Sequence, residues 1–379
     1  MVGYDALAGQ PLPGRRRVGP ASIQQTPAMV GVRRLLGLRV PDHDQTAGIL
    51  LHALTVACPS LAVMSSGPLM IIGGAEDKMR KPTILRHFVA LSGGADARIA
   101  VIPTASSLGR EVVEVYDALF TKYGAARVDA VRPETREQAH DPALVKALDD
   151  ATGIFMTGGN QLKLSGAICG TPVGEAILRA HHRGAVVAGT SAGASIQSSH
   201  MVAFGVGGST PKQRMTQVAA GLGLVENCVI DQHFAQRNRY GRLLMIVSQS
   251  PQLLGMGVDE DTGAVITRSE GVEMLRVIGR GSVTLFDGRA MVTNAHEARE
   301  RRPILASGVV LHVLPAGSEF DLTARALVPP RQVVNPEDAA ELANANRDLR
   351  KMARDIAAGD VSPSVLRRRI ARRTRGASE

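Results

Sequence analysis

Ala185-Val186-Val187-Ala188-Gly189-Thr190-Ser191-Ala192-Gly193-Ala194 is the stretch on which the reading of this chain turns. Four apolar residues run into a glycine-flanked serine, and a helical pattern follows. Gly189, Ser191 and Gly193 fit the G-x-S-x-G nucleophile elbow in the strand–turn–helix context that the motif requires. A sharp turn lifts the hydroxyl above a sheet, and small flanking residues keep the backbone clear of it. The N–H of Ala192 is then placed to meet a developing oxyanion. The bland alternative is a tight turn whose serine caps a helix.

The same strand-and-turn rhythm repeats on both sides of this segment. Leu69–Ile72, Arg98–Pro103, Ala126–Val131, Gly153–Met156 and Ala185–Ala188 read as short buried strands. Between them, helices are predicted over Pro82–Leu91, about 109–123, 142–149 and about 172–183. Continuous apolar runs alternating with amphipathic helices mean parallel strands covered on both faces. The predicted fold is a three-layer α/β/α sandwich around a mostly parallel sheet, doubly wound over 66–270. Beyond 270, shorter alternating runs (Glu273–Ile278, Ser282–Phe286, Val309–Val313) predict a small strand-rich C-terminal addition packed on the sheet's edge. The domain reading is an N-terminal extension at 1–65, an α/β unit at 66–330, and a basic helical tail at 331–379.

Among 379 residues the net charge is +9, and its location matters more than its size. Residues 1–65 hold six arginines against three aspartates, and residues 361–379 six arginines against one glutamate. The long middle of the chain is therefore close to neutral. With aromatics at 3% there is little to stack on bases, so a nucleic-acid partner is not expected. The longest uncharged stretch, Gln45–Ala75, is interrupted by His52, Pro59 and Ser65-Ser66-Gly67-Pro68, which argues against a membrane span. The apolar segment 48–64 starts too late for a usual signal peptide. Three scattered cysteines make neither a disulfide framework nor a zinc site, and a reducing, cytoplasmic setting fits them best. No H-E-x-x-H spacing occurs, so no metal or cofactor is expected.

A nucleophilic serine needs a base, and the base needs an orienting group. His233, in Val229-Ile230-Asp231-Gln232-His233-Phe234, ends an apolar run, where an active-site loop belongs. His181, His182 and His200 are the weaker competitors. The orienting acid is sought in Asp259-Glu260-Asp261, with Glu260 preferred and its two neighbours left open. Three adjacent acids cannot all be buried and ionised without separate partners. A second oxyanion donor is expected from Thr157-Gly158-Gly159-Asn160-Gln161, with Gln161 beyond the glycines in reach of substrate. Arg237, Arg239 and Arg242 follow the histidine closely and suit a carboxylate-bearing substrate.

These blocks, together with Gly73-Gly74-Ala75-Glu76-Asp77-Lys78, resemble the cyanophycinases of the S51 serine peptidase family over roughly residues 66–325. The resemblance implies a fold like the class I glutamine amidotransferases, with serine in place of their cysteine. It implies hydrolysis of cyanophycin, multi-L-arginyl-poly-L-aspartate, to β-Asp-Arg dipeptides through an acyl-enzyme, by a homodimer. On that footing Ser191 is the nucleophile, His233 the general base and acid, and Glu260 the orienting acid. Gly159 and Ala192 supply the oxyanion hole. Gln161, Asp231, Gln232, Arg237, Arg239 and Arg242 line the substrate pocket. The alternatives are an aspartyl dipeptidase of the same family acting on small Asp-containing peptides, and a catalytically silent binding relative.

Overall fold

A computed structural model describes residues 66–299, 301–329, 344, 347 and 349–351. The expected 1–65 extension and almost all of the 331–379 tail lie outside the described residues. Among the described residues no helix is long and apolar enough to cross a membrane.

The first part of the chain alternates strands and helices: β1 (Leu69–Ile72), α1 (Thr83–Leu91), β2 (Arg98–Ile102), α2 (Arg110–Lys122), β3 (Arg127–Ala130), α3 (Pro142–Asp149) and β4 (Gly153–Met156). α4 (Gln161–Ile168), α5 (Pro172–His182), β5 (Val186–Thr190) and the single turn α6 (Ala192–Ser195) follow. Helix starts are chemically marked. Asp141 caps α3 by accepting from the Ala143 N–H ahead of Pro142, and Thr171 caps α5 ahead of Pro172. β1, β4 and β5 are buried along their whole length, as two-sided coverage requires.

The central sheet has nine strands in the order β17 (Ala326–Val328), β16 (Glu319–Asp321), β11 (Val272–Gly279), β10 (Thr262–Ser269), β1, β5, β4, β2 and β3. From β1 through β5, β4 and β2 to β3 the pairing is parallel. On the other side of β1 it continues antiparallel through β10, β11, β16 and β17. Alternate residues of the strands feed two cores. Met70, Ile72, Val101 and Phe155 pack with Phe88 of α1 and Tyr116 and Phe120 of α2 on one face. Leu69, Ile71, Ile102 and Met156 pack with Leu148, Leu164 and Ile177 of α3, α4 and α5 on the other. The three layers expected from the sequence are therefore present.

The sequence reading differs from the structure in where later strands go. β8 (Cys228–Gln232) and β9 (Leu254–Val258) do not extend the central sheet. They pair in parallel within a second, four-stranded sheet, β15-β12-β9-β8. Its other strands are β12 (Ser282–Asp287) and β15 (Val310–Pro315), which were expected at the edge of the first sheet. α7 (Tyr240–Gln249) closes this sheet with its own core, in which Leu243, Ile246 and Val247 meet Phe234 and Phe286. Two ribbons complete the strands: β6 (His200–Gly205) with β7 (Thr216–Ala220), and the short β13 (Val292–Thr293) with β14 (Ala306–Ser307).

Candidate active site

The two sheets meet where the chemistry lies. Register aligns Ile72 of β1 with Thr190 of β5 on one side and with Gly263 of β10 on the other. The elbow, the Gly73-Gly74 turn and the Asp259–Asp261 turn thus emerge side by side. The acidic turn leaves β9 of the second sheet and enters β10 of the first, so it bridges the two. β8, beside β9, delivers His233 to the same edge.

The Gly73-Gly74 turn ties these parts together through the backbone. Gly73 donates to the Thr262 carbonyl at 3.0 Å and accepts from the His233 N–H at 2.8 Å. Gly74 accepts from the Asp261 N–H at 2.9 Å, and the Ser191 N–H donates to the Ile72 carbonyl at 2.9 Å. Gly74 has φ +103°, and a Cβ there would stand 2.4 Å from His233 Cε1. The imidazole rests against this glycine.

Ser191 sits at φ +52° and ψ −107°, a strained conformation for a residue with a side chain. Its Oγ lies 2.9 Å from His233 Nε2. His233 Nδ1 lies 2.6 Å from Glu260 Oε1. A carboxylate only accepts, so Nδ1 carries the proton and Nε2 is left to accept from the serine hydroxyl. Burial pushes the His233 pKa down; Glu260 opposes this, while Arg237 and Arg239 add to it, and the result stays below the usual 6.5. The imidazole is thereby held as a neutral base near pH 7.

The flanking acids have other duties. Asp259, buried, accepts from the Ala235 N–H and from Ser282 N–H and Oγ. Asp261 accepts from the Asp77 N–H. His181 is buried far down α5, where its Nε2 meets Arg268, and burial takes its pKa down to about 4. Near the elbow, the N–H groups of Ala192, Gly158 and Gly159 take no acceptor among the described residues. Gly159 has φ +141°, and its Cα faces Ala105 so closely that a Cβ would meet that carbonyl at 2.0 Å. Only glycine lets this loop lie so near Ala105.

Most residues expected to line the substrate pocket are held by partners within the protein. Asp231 is fully buried, and both of its oxygens are engaged: Arg242 Nε donates at 2.6 Å and Nη2 at 2.5 Å, and Arg239 Nη1 at 3.2 Å. Arg242 is 3% exposed and also donates to the Gly205 carbonyl. A carboxylate taken out of water must be matched by cations, and here the nearest arginines do it. Burial, countered by Asp231 and reinforced by Arg242 and Arg237, pulls Arg239 down to about 10, still a cation near neutrality. Gln161 spends its amide on the Val202 and Ala203 carbonyls of β6 at 3.1 and 2.6 Å. Asp231, Arg239, Arg242 and Gln161 thus spend these groups on one another and on backbone carbonyls, which fixes the wall beside His233.

Two of the expected residues keep polar groups unengaged among the described residues. Arg237 is exposed one turn beyond the histidine. Gln232 stands 3.4 Å from Ser191 Oγ, and Arg239 fixes its carbonyl oxygen at 2.9 Å, which leaves the amide NH2 without an acceptor among the described residues. Sequence reasoning gave no role to Glu76 or Tyr116. Glu76 is buried and accepts from Thr190 Oγ1, Tyr116 Oη and Lys78 Nζ at 2.6, 2.6 and 2.7 Å. It thus grips the residue immediately before the serine. Burial pushes its carboxyl up, but Lys78 and the hydrogen bonds outweigh this and hold it below the ordinary value.

A model of peptidase family S51 matches residues 69–275. A cyanophycinase of Nostoc sp. is 40% identical over 263 residues, covering 69% of this chain and 87% of that protein. The cyanophycinase of Geminocystis herdmanii is 39% identical over 254 residues, 66% of this chain and 92% of that protein. Among solved structures, a peptidase from an acI-B1 Actinobacterium superposes with a TM-score of 0.52 at 21% identity, covering 68% of this chain and 98% of that one. That likeness shows the fold.

Proposed function

The chain belongs to peptidase family S51, and from that premise we propose that it is a cyanophycinase-like serine exopeptidase, cutting the poly-aspartate backbone of cyanophycin with Ser191, His233 and Glu260. The observation that carries this reading is the continuous chain from serine to imidazole to carboxylate, 2.9 and 2.6 Å long. His233 Nε2 takes the hydroxyl proton as Ser191 attacks the backbone carbonyl. The Ala192 and Gly159 N–H groups receive the oxyanion, each worth about 3 kcal/mol of barrier. His233 then passes its proton to the leaving amine, and a water activated by the same nitrogen releases the acyl group. Throughout, Glu260 keeps the ring in one tautomer and offsets the imidazolium charge. The reading needs no metal or cofactor, and a homodimer in the cytoplasm belongs to it.

Gln232 and Arg237 meet the substrate, Arg237 taking an arginine carboxylate of the polymer. With Arg239 and Arg242 engaged by Asp231, the preference for polymer over small Asp-containing dipeptides rests on these two residues and on the relatives. The test is product analysis on purified cyanophycin. The wild-type protein releases β-Asp-Arg and turns over Asp-X dipeptides poorly, and Ser191→Ala releases none. Equal release by Ser191→Ala would end the nucleophile assignment, and a preference for Asp-X dipeptides would replace the substrate.

A further inference from the structure

A cavity that none of the proposed substrate contacts lines reaches the serine. Its volume is about 410 Å³, and in its wall stand Ser191, Gly158, Lys78, Glu76, Ser106 and Glu111. Gln161, Gln232 and Arg237 take no part in it. Its charges are arranged in two ways. Glu76 and Lys78 form a pair in which the carboxylate is 1% exposed and the lysine 33%. The lysine ammonium lies 5.4 Å from the Tyr116 ring, which adds to its positioning. One of its three N–H donors goes to Glu76, so two remain for a ligand. Glu111, in the first turn of α2, is exposed, and its carboxylate makes no ion pair or hydrogen bond among the described residues. The cavity thus offers a held cation and an unspent anion next to the nucleophile.

We propose that this cavity is a subsite for one β-Asp-Arg unit of the polymer, in which Lys78 binds the arginine carboxylate and Glu111 the guanidinium. The inference rests on the cyanophycinase-like reading above and adds specificity-determining residues to it. Each unit of that polymer ends in an arginine carrying one free carboxylate and one guanidinium, and both need a partner when drawn toward a partly enclosed site. A guanidinium pairs with a carboxylate in a two-pronged geometry that an ammonium lacks. Arg237 and Gln232 then serve a neighbouring unit across the scissile bond. Two charged subsites flanking one serine explain how an enzyme with few open cations recognises a polymer whose every unit is a zwitterion.

The experiment uses the full-length protein and oligomers of four β-Asp-Arg units. Citrulline, a neutral isostere of arginine, replaces arginine at one position at a time, and kcat/KM for dipeptide release is measured. Wild type is expected to penalise citrulline about tenfold at the position held by this cavity, as loss of one charge-assisted pair predicts. In Glu111→Gln, an exposed substitution compatible with the fold, that penalty falls to near unity at this one position, and the response to citrulline at the other positions matches wild type. Argininamide at the same position, which removes the carboxylate, is also penalised about tenfold by wild type. If Glu111→Gln discriminates as wild type does at every position, or loses discrimination at all of them, the subsite is refuted while the peptidase stands. If wild type releases nothing from the all-arginine oligomer, the cyanophycinase-like reading itself fails and the subsite falls with it.

Discussion

At His233 two opposing influences meet on one ring, and their balance sets how the protein responds to acid. Burial lowers its pKa, and the Glu260 carboxylate, 2.6 Å away, raises it without restoring the usual 6.5. In the proposed mechanism the neutral imidazole is the working base, so kcat/KM is expected to rise with pH along an acid limb centred below 6.5. The linkage sign agrees: a histidine with a lowered folded pKa contributes stability above its unfolded value, and that is lost as pH falls through the folded one. Glu260→Gln removes the raising influence, so the acid limb moves further down while kcat falls about 10²- to 10⁴-fold. A pH–rate profile of both proteins decides this; a limb at or above the ordinary histidine value, or an upward shift in the variant, contradicts the assignment. At Gly74 the issue is space. Gly74→Ala drives a methyl into the imidazole, at 2.4 Å from Cε1, in a backbone conformation unsuited to alanine. A loss of kcat of about 10²-fold or more is expected, as for a misplaced catalytic base, with a folded circular-dichroism spectrum.

Among elements, the link between β8 and α7 is electrostatic as well as apolar, because Asp231 at the strand's end is caged by Arg239 and Arg242 at the start of the helix. Asp231→Asn leaves two buried guanidiniums short of a counter-charge, and a loss of about 3–5 kcal/mol in urea unfolding is expected. Full stability in that variant would show the pair to be solvated. The sequence could not separate this wall from a binding pocket, since a strand ending in Asp-Gln-His followed by arginines looks the same whether the acid faces ligand or cations. Elements with a plain burial pattern were legible: α3 at 142–149 and β4 at 153–156 form where predicted. α4 was not, because Ser165 and Gly166 interrupt it and its buried residues are only Leu164, Ala167 and Ile168. The β6–β7 ribbon escaped for the same reason, with β7 half-exposed along its length.

For the molecule as a whole, the site exists only where two sheets meet. Ser191 rides on the first and His233 on the second, and Glu260 sits on the turn that passes between them. Motif reading singles out Ser191 and His233, each at the end of an apolar run, and leaves Glu260 among three adjacent acids, while it places β8 and β9 in a single sheet with the rest. Apolar runs of four or five residues carry no mark of which sheet they join, and pairing partners far along the chain decide it. The hydrogen bonds that hold the site run among residues between Ile72 and Ser282, and the strands of both sheets lie between Leu69 and Val328. The candidate site, as far as the described residues build it, thus falls in the near-neutral middle of the chain. We therefore expect a protein limited to residues 66–329 to fold and to release β-Asp-Arg with kcat/KM within about threefold of the full chain, a difference under about 1 kcal/mol. A comparison of the two purified proteins on soluble oligomers measures this directly. A folded truncation that has lost most of its activity on those oligomers would place part of the working site outside this span and would redraw the boundaries of the peptidase unit.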